Sequence, residues 1–150
     1  MSIDVLKRNY LLSELAGDEL QTLLGYITRE RFEKNSTIFV EHMQGESMFF
    51  ITSGRVKMTR MVSEGVEKIL VELGPGNSFG ELALVNSGIR EVTARVVEDA
   101  DIYKLSRESF ERLLREHPAI AGSFLLVLLR RILSDIREIV PTISEILAKG

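Results

Sequence analysis

The chain has 150 residues, of which 45% are hydrophobic and 27% are charged, and its formal net charge is −3. These values are ordinary for one globular domain that buries its own core. The absence of cysteine excludes disulfides, thiolate metal sites and cysteine nucleophiles. The slight negative charge argues against a nucleic-acid-binding surface, and no signal peptide or bilayer-length apolar run is recognisable. We therefore expect a cytoplasmic protein without a membrane partner or a metal.

Residues 1–30 are predicted to form a helical segment. Their apolar side chains recur at the spacing of one helix face, at Leu20, Leu23, Leu24 and Ile27. Asp18 and Glu19 come just before this face, where the helix dipole favours negative charge. The pattern therefore predicts a helix that begins close to Gly17.

Residues 31–105 have the pattern of short β-strands. The runs TIFV, SMFFIT, RVKMTRMV, VEKILVEL, VTARVV and DIYKL are rich in strand-forming residues. Turn signals separate them, at 33–36, 44–46, 53–54, 63–65 and 74–77. Many short strands at this spacing predict an antiparallel jelly-roll barrel.

Residues 106–150 are predicted to be helical again. Ser106 is placed to cap one helix, and Pro118 suits the first turn of a longer one. Because Pro141 disfavours helix at the preceding residue, this helix is predicted to end or kink there, leaving TISEILAKG as a separate turn or frayed tail. The chain is thus predicted to be a single α+β domain over 1–150. Its antiparallel β jelly-roll barrel is flanked by N-terminal helices and a long C-terminal helix.

The long C-terminal helix is predicted to be apolar on all sides. FLLVLL (124–129) is continuous, and apolar residues continue beyond Arg130 and Arg131 at Ile132, Ile136 and Ile139. A helix with one buried face does not need such a pattern. Burial against both the barrel and a second copy of the chain explains it, so we expect a homodimer through this helix. The alternative to a dimer is a helix whose apolar residues are all buried against the barrel of the same chain.

The stretch FGELALVNSGIREVTARV (79–96) has the composition of an anion site. Gly80 allows a close approach of the backbone, and 81–85 can form one helical turn with free N–H groups. Glu81 can accept a hydrogen bond from a hydroxyl, and the planar fork of Arg90 suits two phosphate oxygens. Together they suit a ribose 3′,5′-cyclic phosphate. The alternative is an ion pair between Glu81 and Arg90 that braces the loop without a ligand.

From about Leu12 to Asp135, the sequence resembles the cyclic nucleotide-binding domains, in particular those of the bacterial Crp–Fnr regulators. The resemblance lies in LLSELAGDELQTLL, ITSGRV, LGPGNSFGELAL and the spaced Arg90. It implies cAMP or cGMP as the ligand. It also implies roles for the residues of the motif: Gly80 and Glu81 would meet the ribose 2′-hydroxyl, Leu82 and Ala83 would supply backbone contacts, and Arg90 would hold the phosphate.

The same resemblance extends to two further positions. Glu91 stands where the family usually has a small residue, and its backbone N–H can still donate to the phosphate. The positions that cap the base in the family fall near Asp135 and Ile136 on the long helix. Asn35 stands where a turn glycine is common, and asparagine tolerates that backbone conformation.

The expected function is a sensor module that signals through its C-terminal helix, to a second chain or to a downstream protein. No catalytic residues are predicted, because a jelly-roll metalloenzyme needs clustered histidines and only His42 and His117 are present. About ten residues follow Val140, too few for a helix-turn-helix, so direct DNA binding by this chain is not expected. The alternative is a degenerate, ligand-free Crp–Fnr-like domain, or a fragment of a transcription regulator, that acts as a dimerisation or protein-interaction module.

Overall fold

The computed structural model of the chain describes residues 2–86 and 88–149. Within these ranges, helices α1 (Ser2–Lys7) and α2 (Gly17–Leu24) come first. The strands are β1 (Thr28–Phe32), β2 (Thr37–Phe39), β3 (Gln44–Gly45), β4 (Ser47–Ser63), β5 (Val66–Leu73), β6 (Ser78–Phe79), β7 (Gly88–Ile89) and β8 (Thr93–Ser106). One 3₁₀ turn (Glu81–Leu84) lies between β6 and β7, and helices α3 (Arg107–Glu116) and α4 (Pro118–Lys149) follow β8.

The described strands form an antiparallel roll around β4 and β8. The main sheet has the order β1-β8-β4-β5, with β2 added to β8 and β6 added to β4. Phe50 of β4 pairs with Tyr103 of β8, and β3 pairs with β7 in a small second sheet. The predicted fold class is confirmed: an antiparallel β-roll is flanked by helices at both ends.

Two predicted turns are wrong, because Ser53 and Gly54, and likewise Gln44 and Gly45, lie in strands, and only Glu46 of the second signal lies between strands. Ser53 and Gly54 lie inside β4, where the register with β8 shifts around them. Gly54 has a φ of 85°, and a Cβ there would come within 2.4 Å of the Asp99 carbonyl oxygen. Gly54 therefore makes a bulge in a long strand. Gly45 also lies in a strand, because β3 pairs with β7.

The predicted cap and the predicted asparagine conformation are both confirmed. The Ser106 hydroxyl accepts a hydrogen bond from the Ser109 backbone N–H at 3.1 Å, as expected of an N-cap. Asn35 has a φ of 73°, which is the left-handed conformation that asparagine tolerates. His42 is exposed, and His117 is the C-cap residue of α3.

The buried side chains form two clusters that meet at the 3₁₀ turn. One cluster fills the roll, where the rings of Phe49 and Phe79 stack with their centroids 5.2 Å apart. The other joins the helices to the sheet and includes Phe124 and Leu128 of α4. Leu84 belongs to the helical cluster, whereas Phe79, just before the turn, belongs to the roll. The turn is thus anchored to both cores.

Helix α4 is longer than the sequence predicts. Of the two outcomes predicted at Pro141, the end of the helix is wrong, because α4 continues through this proline to Lys149, and TISEILAKG is helical up to that residue. The kink at Pro141 stays a prediction. A proline inside a helix costs about 3 kcal/mol. The flanking residues offset part of this cost, and Lys149 Nζ forms an i,i+4 pair with Glu145 Oε1 at 3.2 Å.

The outer surface of α4 carries a long row of exposed apolar side chains, which we call the α4 apolar face. Its members are Leu126, Leu129, Leu133, Ile136, Ile139, Val140, Ile143, Ile146 and Leu147. None of the helices in the described part of the chain has the length and apolar character needed to cross a membrane. A row of this size on a helix is typical of a surface that packs against another helix.

Candidate ligand-binding site

One side of the roll opens into a cavity of about 600 Å³. This volume lies within the range of small-molecule sites. The apolar wall of the cavity is formed by Phe39, Met58, Leu70, Val71, Leu73 and Val92. The polar wall, part of which contacts the apolar wall, carries Ser78, Gly80, Glu81, Asn86, Arg90 and Glu91. Of the predicted site residues, the structure brings Gly80, Glu81, Leu82, Ala83, Arg90 and Glu91 together around this cavity.

Gly80 has no room for a side chain. Its backbone is left-handed, with φ 80° and ψ 19°, a conformation that favours glycine. A Cβ at this position would lie 2.8 Å from Arg90 Nη1 and 3.1 Å from the Ser47 carbonyl oxygen. Glycine is therefore needed both for the turn and for the close approach of Arg90.

The 3₁₀ turn begins directly after Gly80 and places Glu81 on the cavity wall. The Ser78 hydroxyl donates a hydrogen bond to Glu81 Oε1 at 2.8 Å, which orients the carboxylate. The Ala83 N–H donates to the Gly80 carbonyl at 3.2 Å and closes the turn. Leu82 is 58% exposed at the cavity edge, whereas the side chain of Ala83 is buried. The turn thus offers a carboxylate acceptor and backbone groups at one end of the cavity.

The side chain of Arg90 lies along the cavity wall and does not point into bulk water. Nη2 donates a hydrogen bond to the Ser47 carbonyl oxygen at 2.6 Å, and Cζ lies 4.1 Å from the centroid of the Phe39 ring. The backbone of Arg90 is also fixed, because its N–H donates to the Met43 carbonyl at 2.6 Å. Both the position and the direction of the guanidinium are therefore set by the fold.

The guanidinium of Arg90 lies between two glycines. A Cβ at Gly45 would be 2.9 Å from Nε, just as a Cβ at Gly80 would be 2.8 Å from Nη1. Nε is buried, and no described residue accepts a hydrogen bond from it. Burial lowers the pKa of the Arg90 guanidinium, yet arginine has so high an ordinary pKa that the group remains a cation at neutral pH. A partly desolvated cation with free donor capacity favours an anionic partner.

Glu81 and Arg90 do not form the ion pair that the sequence leaves as an alternative. Glu81 is hydrogen-bonded to Ser78, and Arg90 to the backbone of Ser47. Among the ion pairs of the described residues, none joins the two. Both side chains keep capacity for a ligand on the same cavity.

Asp135 lies outside the cavity. It is exposed on α4, and its Oδ1 is 3.5 Å from Arg131 Nε. Arg131 Cζ in turn lies 4.9 Å from the centroid of the Tyr10 ring. Burial, with the negative charges of Glu81 and Asp135 as further causes, raises the pKa of Tyr10 to about 12. The role of Asp135 in base capping stays a prediction.

Several residues of the site carry no signal in the sequence. Ser47 contributes only a carbonyl oxygen, Phe39 only a ring face, and Gly45 resembles an ordinary turn glycine. These contacts join segments far apart in the sequence, and no local spacing predicts them.

Across residues 2–86 and 88–149, no group of three or more His, Asp or Glu side chains is arranged to hold a metal ion.

A jelly-roll domain whose cavity carries a guanidinium, a carboxylate and a glycine-led turn has the groups that suit a small organic anion. Comparison with known proteins identifies the kind of domain. Residues 29–117, more than half of the chain, match the family described as "Cyclic nucleotide-binding domain". The chain therefore belongs to this family, which is the family that its sequence motifs resemble.

The relatives of the chain include regulators. The Cyclic AMP receptor protein of Thermus thermophilus is 33% identical over 127 residues, which are 85% of this chain and 59% of that protein. The chain thus spans a little over half of the length of this relative.

The solved structures similar to the chain include the N-terminal domain of a transcriptional regulator from Streptomyces coelicolor. It has a TM-score of 0.84 at 26% identity and covers 91% of this chain and 95% of that one. The regulatory domain of Toxoplasma gondii PKA, in co-crystals with cAMP, has a TM-score of 0.65 at 26% identity and covers 73% of this chain and 42% of that one. Both likenesses agree with the family match.

Proposed function

We propose that the chain is a cyclic nucleotide sensor that binds cAMP in the cavity beside Arg90 and acts as a regulatory module, not as an enzyme. The observation that carries this proposal is the placement of the Arg90 guanidinium and the Glu81 carboxylate on one cavity without an ion pair between them. A cyclic phosphodiester supplies acceptor oxygens and one negative charge for this cation. The names of the Thermus relative and of the Toxoplasma co-crystal favour cAMP over cGMP.

The residues of the polar wall take distinct roles in this proposal. Arg90 pairs with the phosphate, and the free oxygen of Glu81 accepts a hydrogen bond from the ribose 2′-hydroxyl. The backbone N–H groups of Leu82 and Glu91 add donors around the phosphate, whereas the N–H of Ala83 closes the turn on the Gly80 carbonyl oxygen. The apolar wall, which includes Leu70 and Val71 of β5, covers the base.

The response to the ligand would pass through Leu84 to α4. Leu84 follows Glu81 in the 3₁₀ turn and belongs to the same buried cluster as Phe124 and Leu128 of α4. A ligand that pulls on the turn therefore changes the packing of α4 and biases its position. Such a shift also offers a way to bring Asp135 over the base. The proposed output is a change in how α4 meets a second chain or a downstream protein, in the cytoplasm.

Calorimetric titration with cAMP and with cGMP tests the ligand. We expect the wild type to bind cAMP, and Arg90→Ala to bind it at least about tenfold more weakly, because a hydrogen bond to a charged group is worth about 1.5–3 kcal/mol. Arg60→Ala, an exposed arginine on β4, is the matched control and should bind as the wild type does. No heat from either nucleotide at millimolar concentration would reject the proposal. Equal affinity in Arg90→Ala would reject the site.

We also propose that two copies of the chain pair through the α4 apolar face. Its nine large side chains are exposed in the single chain, and a two-fold contact would bury them on both copies at once. This pairing would also serve a domain that has lost its ligand and acts only in dimerisation, the alternative function. Sedimentation at tens of micromolar should give a two-chain mass, and Leu133→Asp, in the middle of the face, should reduce it to one. A wild-type monomer would refute the pairing.

A further inference from the structure

Arg107, the first residue of α3, contacts the binding site from behind the cavity wall. Its Nε and Nη2 both donate to the Ala83 carbonyl oxygen, at 2.8 and 2.7 Å, and Nη2 also reaches the Gly45 carbonyl oxygen at 3.3 Å. Its backbone N–H donates to the Glu46 carbonyl at 2.8 Å. One half-buried guanidinium therefore joins the 3₁₀ turn to strand β3.

The two carbonyls that Arg107 binds belong to two separate segments that line the cavity. Ala83 lies in the turn that presents Glu81, and Gly45 is the residue against which Arg90 Nε packs. The distance between these two parts of the wall decides whether Arg90 fits between Gly45 and Gly80. Arg107 fixes that distance through a rigid planar fork, which an ammonium group cannot reproduce.

The bonding of Arg107 differs from that of an ordinary surface arginine. The hydrogen bonds that its side chain makes among the described residues all go to backbone carbonyls, and none of the ion pairs within the described ranges includes it. It borders an open depression of about 450 Å³ in which Glu46, Glu108 and Glu111 are also present. Although carboxylates are close by, the guanidinium turns toward the carbonyls of the site. Helix α3 has its own anchors in the buried Phe110 and Leu113.

We propose that Arg107 is a positioning residue of the nucleotide site, which holds the 3₁₀ turn and Gly45 at the separation that Arg90 requires. This inference rests on the proposed function for its effect on affinity. Its geometric part, the dependence of Arg90 on Arg107, can be tested without any nucleotide. The two parts can therefore fail separately.

The first experiment follows the Nε–H resonance of Arg90 by ¹H–¹⁵N NMR in the nucleotide-free protein. Because this group is buried, we expect a resolved resonance in the wild type, assigned by its loss in Arg90→Ala. Arg107→Met should shift or broaden it, and Arg107→Lys should not restore it. Arg115→Met, an exposed arginine on the same helix, is the matched control and should leave it unchanged. An unchanged resonance in Arg107→Met overturns the inference.

The second experiment titrates the same variants with cAMP, under conditions in which each gives a folded NMR spectrum. We expect Arg107→Met to weaken binding about tenfold, Arg107→Lys to recover little of this, and Arg115→Met to match the wild type. In the Arg90→Ala background, Arg107→Met should cause a smaller loss of cAMP affinity. The reason is that Arg107 supports binding in part by positioning Arg90. Wild-type affinity in Arg107→Met overturns the inference. A shifted resonance in a protein that binds no nucleotide supports the geometry and overturns the proposed function.

Discussion

Gly45→Ala tests whether the narrow space around Arg90 is necessary for binding. The added Cβ would lie 2.9 Å from Arg90 Nε and 3.0 Å from Cδ and Cζ. Ordinary contacts are about 3.5–4.0 Å, so the side chain must move by roughly 0.5–1 Å. The φ of Gly45 is not positive, and alanine therefore adds no backbone strain at this position. The substitution displaces Arg90 without removing it.

The magnitude follows from the contacts that the displaced guanidinium loses. Weakening its hydrogen bond to the Ser47 carbonyl costs about 0.5–1.5 kcal/mol, and moving it off the Phe39 ring costs about 0.5–1 kcal/mol. The free energy of unfolding should therefore fall by about 1–2.5 kcal/mol, which leaves a typical domain folded. Misplacing a charge-assisted contact to the phosphate costs about 1.5–3 kcal/mol, so cAMP affinity should fall roughly tenfold or more.

Calorimetry with cAMP and urea unfolding measure the two effects separately. Gly17→Ala is the matched control, because a Cβ at Gly17 meets no atom within 4 Å, and it should bind as the wild type does. In the Arg90→Ala background, Gly45→Ala should cause no further loss of affinity, since the two changes act on one contact. The reasoning would be refuted if Gly45→Ala bound cAMP within twofold of the wild type. It would also be refuted if Gly45→Ala lowered cAMP affinity equally in the wild-type and Arg90→Ala backgrounds.

Three further results are expected. Glu91→Gln removes an exposed carboxylate from the cavity wall and should tighten cAMP binding roughly threefold to fivefold at low salt, with the gain shrinking at high salt, by calorimetry; equal affinity at low salt would contradict it. Burial holds the pKa of Tyr10 at about 12, above its ordinary value, so the folded state keeps this proton longer and loses stability as pH rises from about 10 through 12. In the wild type, phenolate absorbance should show one ionisation at this high pH, and Tyr10→Phe should lack it. Identical absorbance titrations of the two proteins would contradict the prediction. Ser106→Ala removes the cap on the Ser109 N–H and should lower the free energy of unfolding by about 1 kcal/mol in urea, whereas an unchanged midpoint would count against the cap.

The sequence predicted those parts of the fold that depend on neighbouring residues. The cap at Ser106 and the helix around Leu20 follow from local patterns, and both are present. Gly54 was misinterpreted because a glycine that makes a bulge and a glycine that makes a turn have the same local signature. Pro141 was misinterpreted as a possible helix end because proline disfavours helix at the residue before it, whereas α4 continues through this position.

The site shows the same division between near and distant contacts. Glu81 and Arg90 were predicted because their motif lies within one stretch of chain, and the cavity brings the two residues together. The Ser47 carbonyl lies 43 positions from Arg90, and the Ala83 carbonyl lies 24 positions from Arg107. Backbone oxygens look alike in a sequence, so only the pairing of β3, β4 and β7 reveals which of them meet these arginines.

Pro141 divides α4 into two segments that differ in stability. Since proline has no N–H, the Arg137 carbonyl lacks the donor that a helix normally supplies four residues later. The last eight residues of α4 are therefore joined to the preceding turns by one bond fewer than a regular helix would have. On heating, unwinding should begin in this terminal segment and should stop at the proline, while the part of α4 packed on the roll is still intact.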